Sequence, residues 1–497
     1  MQSQNIHPSE PRDEEVIQNK ELSIGQALIP VVALIVMLFY NVFYAFGDDA
    51  LDGSNQFILL MGAAVAAVVG FFNKVKFDQM LEEVASNIKS TSGAILILLM
   101  VGALAGTWLI SGIIPTMIYY GLQILHPKIF LASCVVICSV VSLATGSSWT
   151  TSATVGIALV GIADALDISL GMTAGAVISG AYFGDKISHL SDTTNLAPAM
   201  AGTDLFTHIR YMLYTTVPTL TVTLIVFIII GLNMNVSGTA NTEDILLSLK
   251  ESVNINPLLF LVPVIVIFLI VKKTPPLIAL LLGTLLGAVA ALIFQPQIVA
   301  MAGESEILNF SSGYKGIMNA IIGDSSIPSE NASLEKLFSA SGMAGMLNTI
   351  WLILCAMVFG GVMDGIGALA TISKALLKLF HTTFGLFAST VASCLTLNVT
   401  ASDQYLAIVI PGKMYAKAFQ DKGLAPENLS RTLEDSGTVT SVLVPWNTCG
   451  AYHSGVLGVD TFHYFGYAVF NWLSPFMTLF FAAFRIKIRT LTKPAAA

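Results

Sequence analysis

Long apolar runs separated by short polar segments dominate the chain. A helix that crosses a bilayer needs about 20 mostly apolar residues. Stretches of this kind are Ala27–Phe46, Phe57–Phe72, Ala94–Ile114, Tyr214–Leu232, Leu258–Val271, Pro276–Phe294, Met346–Ile366 and Phe465–Phe484. Shorter apolar stretches cover Ile129–Ala144, Thr151–Ile162, Leu170–Tyr182, Phe384–Leu397 and Leu406–Ile410, and Gly, Ser, Thr and Asn interrupt them. Such segments are expected to be broken helices or re-entrant hairpins, whose irregular backbone is tolerated only inside protein or beside a water-filled cavity. The runs are continuous rather than alternating, which excludes a β-barrel. The pattern predicts an all-α polytopic membrane protein.

Composition sharpens this. Of 497 residues, 55% are hydrophobic and 11% charged, against roughly 25% charged in soluble proteins, so most of the surface does not face water. The net charge of -8 leaves no basic face for phosphates and excludes a nucleic-acid partner. The five cysteines lie in apolar stretches without a CxxC pair, which argues against a zinc or redox centre. No HExxH or GxSxG motif is present, so neither an enzyme nor a cofactor is expected.

Lys and Arg near span ends mark the cytoplasmic side. Lys74, Lys76, Lys89, Lys272, Lys273, Arg485, Lys487, Arg489 and Lys493 fall on one side, opposite Asp48, Asp49, Asp52 and the acidic segments Asn233–Asn256 and Gln295–Ser341. Both termini are therefore expected in the cytoplasm, in a chain of the cell (inner) membrane. The expected organisation is a cytoplasmic tail over 1–24, without the order of a signal peptide, and a membrane repeat over 25–233. An extracytoplasmic linker over 234–256, a second repeat over 257–485 carrying the acidic loop 295–341, and a cytoplasmic tail over 486–497 complete it.

The repeat rests on spacing. Asn195 in SDTTNLAP and Asn447 in LVPWNTCG are 252 residues apart (447 − 195 = 252). The same offset sets Ser148 on Thr400, Thr150 on Ser402, and Gly146, where one apolar run breaks, on Asn398, where another does. The first unit opens with a span running outward and the second with one running inward, so the units are inverted. Inverted repeats with discontinuous helices are the architecture of secondary transporters, which hold substrate near the midplane at the repeat interface.

The candidate chemistry sits at these breaks. Ser148, Thr150 and Thr151 in ATGSSWTTSAT offer hydroxyl and carbonyl oxygens of the kind that coordinate cations in transporters; close packing by small residues is the alternative use. Asp185, Lys186, His189, Asp192, Thr193 and Asn195 follow in GDKISHLSDTTNLAP. Ionisable groups inside a membrane face a cavity or a partner, whereas a solvated surface loop would carry them at no cost. In the second half Asn398, Thr400 and Asp403 occupy the break, and Glu434, Asp435, Asn447 and Thr448 the following segment; Asp403 also suits a helix N-cap. Asp364, among glycines at a span end, is either a site residue or a helix-end charge.

At these residues the chain resembles the NhaC family of sodium/proton antiporters. GAYFGDKISHLSDTTNLAPAMAGTDLFTHIRYMLYTTVP (Gly180–Pro218) is similar to that family's signature region, and GSSWTTSATVGIAL and TASDQYLAIVIPGKMY to its other typical segments. The similarity runs from about Ala27 to Phe484. The resemblance implies a homodimer and carries the family's cation role onto Asp185, Asp192, Thr193, Thr194 and Asn195. Relatives exchange malate for lactate, so a small organic acid or amino acid is the alternative cargo, and no metal beyond a transported sodium is expected. A carboxylate withdrawn from water has a raised pKa and holds either a proton or a cation; that competition would couple the two fluxes by alternating access.

Overall fold

In a bilayer, an apolar run can satisfy its own N–H and C=O groups only by winding into a helix, and the chain does so almost throughout. The computed structural model describes residues 22–46, 50, 53–234, 239–328, 338–378 and 382–491. Residues 1–21 and 492–497 of the expected tails, and Asp48, Asp49 and Asp52, lie outside the described residues.

The first half contains α1 (Ile24–Tyr40), α2 (Ser54–Phe72), α3 (Phe77–Ile110), α4 (Ile113–Ile124), α5 (Phe130–Thr145), α6 (Ser148–Thr151) and α7 (Ile157–Ala165). It continues with α8 (Leu170–Ile187), α9 (Asp192–Ala201) and α10 (Leu205–Asn233). After α11 (Thr239–Ser252) come α12 (Leu261–Val271), α13 (Pro276–Phe294), α14 (Pro296–Ala302) and α15 (Phe310–Ile322). An antiparallel pair, β1 (Ser325–Ser326) and β2 (Ser339–Ala340), leads to α16 (Leu347–Gly365), α17 (Ala368–Lys378), α18 (Thr383–Thr400) and α19 (Gln404–Asp421). The last elements are α20 (Pro426–Leu433), α21 (Thr448–Leu457), α22 (Thr461–Phe465) and α23 (Val469–Ala483).

Among the described residues, 8 helices are long and apolar enough to cross a membrane. Their outer faces expose large apolar side chains, such as Val36 at 60% and Ile293 at 66%. Water tolerates contiguous apolar patches of this kind poorly; lipid does not. The chain is a multi-pass membrane protein.

Several boundaries differ from the sequence reading. α3 starts at Phe77, not Ala94: Gln79, Met80, Leu81, Glu82 and Glu83 in its first turns are good helix formers, and the helix runs on to Ile110, before left-handed Gly112. Leu406–Ile410 is the start of the 18-residue α19. The acidic segment 295–341 is not an open loop where described: it forms α14, α15 and the two short strands.

The duplication has a different register. Helix N-caps pair as Ser147 with Asp403, Ser169 with Ala425, Ser191 with Asn447, and Asp204 with Asp460. Each pair is 256 residues apart (403 − 147 = 256). Left-handed residues pair at the same spacing: Gly146 with Ser402, Asp167 with Gly423, Gly202 with Gly458. The offset of 252 is therefore corrected. Asn447 answers Ser191, since both cap a helix and cap residues are interchangeable. The second break lies at 401–403, so Asn398 and Thr400 belong to the last turn of α18.

The contacts fix the directions of these helices. Gly180 meets Val135 and Gly184 meets Leu143, so α5 and α8 run parallel. A Cβ at Gly184 would lie 2.4 Å from the Leu143 amide, an approach only glycine permits. α7 ends where α8 begins, so α6–α7 must turn back along α5: this is a re-entrant hairpin. Asn398 reaches Gly437 and Thr440, and α19 ends where α20 begins, which makes α18–α19 the second hairpin. The far end of α10 returns to the start of α5, Gly231 meeting Lys128, so α9 leads away from the side on which α5 begins. α19 runs with α9, Met200 against Gly412, and α7 runs with α21, Gly156 against Leu457. The two hairpins therefore enter from opposite sides.

Candidate functional site

The four breaks converge at the centre. Gly146 packs against Leu190, and the Ser188 hydroxyl donates to the Leu143 carbonyl at 3.0 Å. In the other half the Thr448 amide donates to the Ser402 carbonyl at 3.0 Å. Asn447 Nδ2 donates to the Asn398 carbonyl at 3.1 Å, while Asn398 Nδ2 donates to the Gly437 carbonyl and the Thr440 hydroxyl. These bonds satisfy backbone that the breaks release and fix the tips as rigid positions.

A cavity of about 540 Å³ opens onto these tips. Its wall includes Thr145, Ser147, Trp149, Asp185, His189, Asp192 and Thr193 from the first half, and Asp403, Gln404, Tyr405 and Thr448 from the second. Ser90, Thr91 and Lys273 also line it. Asp185 is the most elaborated group: Ser148 donates to Asp185 Oδ2 from its amide at 3.1 Å and its hydroxyl at 2.7 Å. Asp403 Oδ1 caps α19, accepting from the amides of Tyr405 at 2.8 Å and Leu406 at 3.0 Å. Among the described residues no three His, Cys, Asp or Glu side chains converge as a resident metal would require. The cavity wall offers carboxylates together with the hydroxyls of Thr145, Ser147, Thr193 and Thr448.

Other sequence candidates lie elsewhere. Thr150 and Thr151 are buried beneath the tip, donating to the Ser147 hydroxyl and carbonyl. Asn195 is exposed and bonds back to the carbonyls of His189 and Ser191. Thr400 donates to the Thr396 carbonyl one turn back. Asp364 is half-buried at the end of α16 near Glu83 and does not line the cavity.

Lys186, Glu434 and Asp435 form a second group, wholly buried. Lys186 is ion-paired with Asp435 Oδ1, and Thr215 at 2.9 Å and Thr478 both donate to Asp435 Oδ2. Glu434 opens a π-helical turn, Glu434–Thr438, and neither of its oxygens has a hydrogen-bond partner. Thr215 and Thr478 escaped the sequence reading. Thr215, Thr219 and Thr223 recur every fourth residue of α10, a signal of one polar face that spacing alone could have given.

Comparison with known proteins closes the case. Residues 180–486 match the model of the Na+/H+ antiporter family. Over 462 residues the chain is 34% identical to the Na(+)/H(+) antiporter NhaC of Alkalihalophilus pseudofirmus, covering 93% of this chain and 96% of that one. The chain belongs to the Na+/H+ antiporter family. It is also 34% identical to the malate-2H(+)/Na(+)-lactate antiporter of Bacillus subtilis, over 89% of this chain and 90% of that one. Identity to the arginine/ornithine antiporter ArcD of Halobacterium salinarum is 32%, over 95% and 94%. Within this Na+/H+ antiporter chain the matched segment takes in the second half of α8, the second hairpin and the three carboxylates of the cavity wall, Asp185, Asp192 and Asp403, while the α5–α7 hairpin precedes it.

Proposed function

We propose that this antiporter exchanges sodium for protons, with Asp185 as the group for which the two ions compete. One observation carries the reading: Asp185 lines the central cavity while Ser148, at a hairpin tip, fixes one of its oxygens. A carboxylate so placed binds a proton or a sodium ion, not both, and the hydroxyls of Thr145, Ser147 and Thr193 supply further oxygens. Asp192, Asp403 and Thr448 complete the wall from both halves, so movement of one half against the other would transfer the ion between sides. The cavity reaches Lys273, one of the lysines that mark the cytoplasmic side. On this reading both termini are cytoplasmic, the membrane is the cell (inner) membrane, and the conformation is inward-facing.

Purified protein in proteoliposomes, given a sodium gradient, should drive proton movement read by a pH dye. Asp185→Asn should stop it while the protein stays folded; full exchange by that variant would sink the assignment. A second reading is favoured by the size of the cavity, about 540 Å³, which suits a small organic molecule as well as an ion. Lys273 and His189 on its wall would then receive a carboxylate. Malate-, lactate- or amino-acid-dependent sodium flux in the same vesicles would decide for it.

A further inference from the structure

We propose that Glu434, with the Lys186–Asp435 pair, is a second proton-carrying site, separate from the cavity carboxylate Asp185. The proposal rests on the reading of the chain as a sodium/proton exchanger but places one proton where that reading does not.

Charge withdrawn from water must be balanced by partners close by. Glu434 lies within electrostatic reach of two other carboxylates, Asp185 and Asp435, and of one ammonium, Lys186. Lys186 is committed to Asp435, whose second oxygen is filled by Thr215 and Thr478. Asp185 is held by Ser148 at the cavity. Glu434 is left, fully buried, with both oxygens unpartnered and only the Thr438 hydroxyl beside it. A carboxylate stripped of water without a hydrogen bond is among the most costly groups a protein can bury, so this one needs a proton of its own.

The rest of the surroundings do not supply the missing charge. Arg431, one turn earlier, stacks on Tyr211 at 4.5 Å and faces Phe481, with no hydrogen bond from its guanidinium. His208 on α10 is engaged by the Ser430 hydroxyl. α18 turns Cys394 towards Ser436, α19 presents Ala407 and Ile408 to Gly437, and α23 contributes the Thr478 hydroxyl. Glu434 therefore responds chiefly to Lys186 and to what Asp185 holds. Where Asp185 is unprotonated, sodium arriving on it adds a positive charge nearby and lets Glu434 give its proton to water; sodium leaving reverses the transfer. One O–H bond breaks at the Glu434 carboxyl as one forms on the accepting water, and the return step reverses both.

The test separates the ions. In proteoliposomes, sodium–sodium exchange of radiolabelled sodium needs no proton, whereas sodium-driven proton flux does. Glu434→Gln should keep the first and lower the second about twofold, since one of two proton carriers is lost while the competition at Asp185 remains. In wild-type protein, infrared difference spectra on adding sodium should lose a protonated-carboxyl band that Asp185→Asn does not remove. Undiminished proton flux in Glu434→Gln, equal loss of both fluxes, or no such band in the wild type overturns the proposal. Absence of sodium–sodium exchange in the wild type overturns the cargo assignment instead.

Discussion

Trp149 and Tyr452 stack with ring centroids 3.9 Å apart and planes at 19°, and the Tyr452 hydroxyl donates to the Trp149 carbonyl at 3.1 Å. They join the tip of one half to α21 of the other. The central cavity touches Trp149 and Thr448, at the inner end of α21. Further along the same helix a second cavity of about 280 Å³ is lined by Asn348, Pro445, Ala451, Ser454 and Asp460. Trp149 lines the first cavity, and the neighbour of Tyr452 in the chain, Ala451, lines the second. Tyr452→Ala should give sodium leak that needs no proton gradient, measured as radiolabelled sodium efflux from vesicles; a tight vesicle would show that the stack is packing only. An aromatic pair of this kind contributes about 0.5–1.5 kcal/mol beyond its buried area, so the variant should still fold.

Ser148→Ala removes the hydroxyl, but not the amide, from Asp185. A hydrogen bond to a charged group contributes about 1.5–3 kcal/mol. The half-saturating sodium concentration should therefore change by about tenfold or more with maximal exchange retained, and a titration of exchange against sodium reads it directly.

The two tips make a matched pair of tests. Gly146 has φ 71 and Ser402 has φ 58 at equivalent places. A Cβ on Gly146 would lie 2.5 Å from that of Leu190, so Gly146→Ala should disturb the tip and abolish exchange. Ser402→Gly relieves a left-handed serine and should leave thermal stability within about 1 kcal/mol of wild type. Equal damage from both changes would contradict the equivalence.

Residues 486–491 are bound along α10 and the α19–α20 turn. The Ala425 amide donates to the Arg489 carbonyl, and Leu491 to Gly423. Asn428 Nδ2 donates to the Arg489 carbonyl at 2.7 Å, and its Oδ1 accepts from Tyr211 at 2.5 Å. Asn428→Ala should cost about 1–3 kcal/mol, since it strands buried partners, and lower the melting temperature. Glu427→Ala loses a pair with the half-exposed Arg489 and should cost under about 1 kcal/mol.

The membrane class and the tips were legible in the sequence because both are local. Twenty apolar residues need a helix wherever they fold, and Gly146 or Ser191 announces a break by its own chemistry. The register was not, because a cap is a role that Ser, Asp and Asn share, and matching Asn195 to Asn447 followed the letter instead of the role. The pairing of Lys186 with Asp435 was hidden for another reason. It spans 249 residues and depends on which face of α8 meets the π-helical turn, which periodicity in a segment buried all round cannot report.

The segment at 486–491 also bears on how the protein is made. Glu427 is 62 residues ahead of Arg489 (489 − 427 = 62), so the ribosome completes the second hairpin and α20 well before the residues that clasp them. Until then the Ala425 and Asn428 partners stand open at the membrane surface. A chain halted after α23 would carry both hairpins yet lack the clasp, and would show quality-control proteases a loose turn that the finished molecule hides.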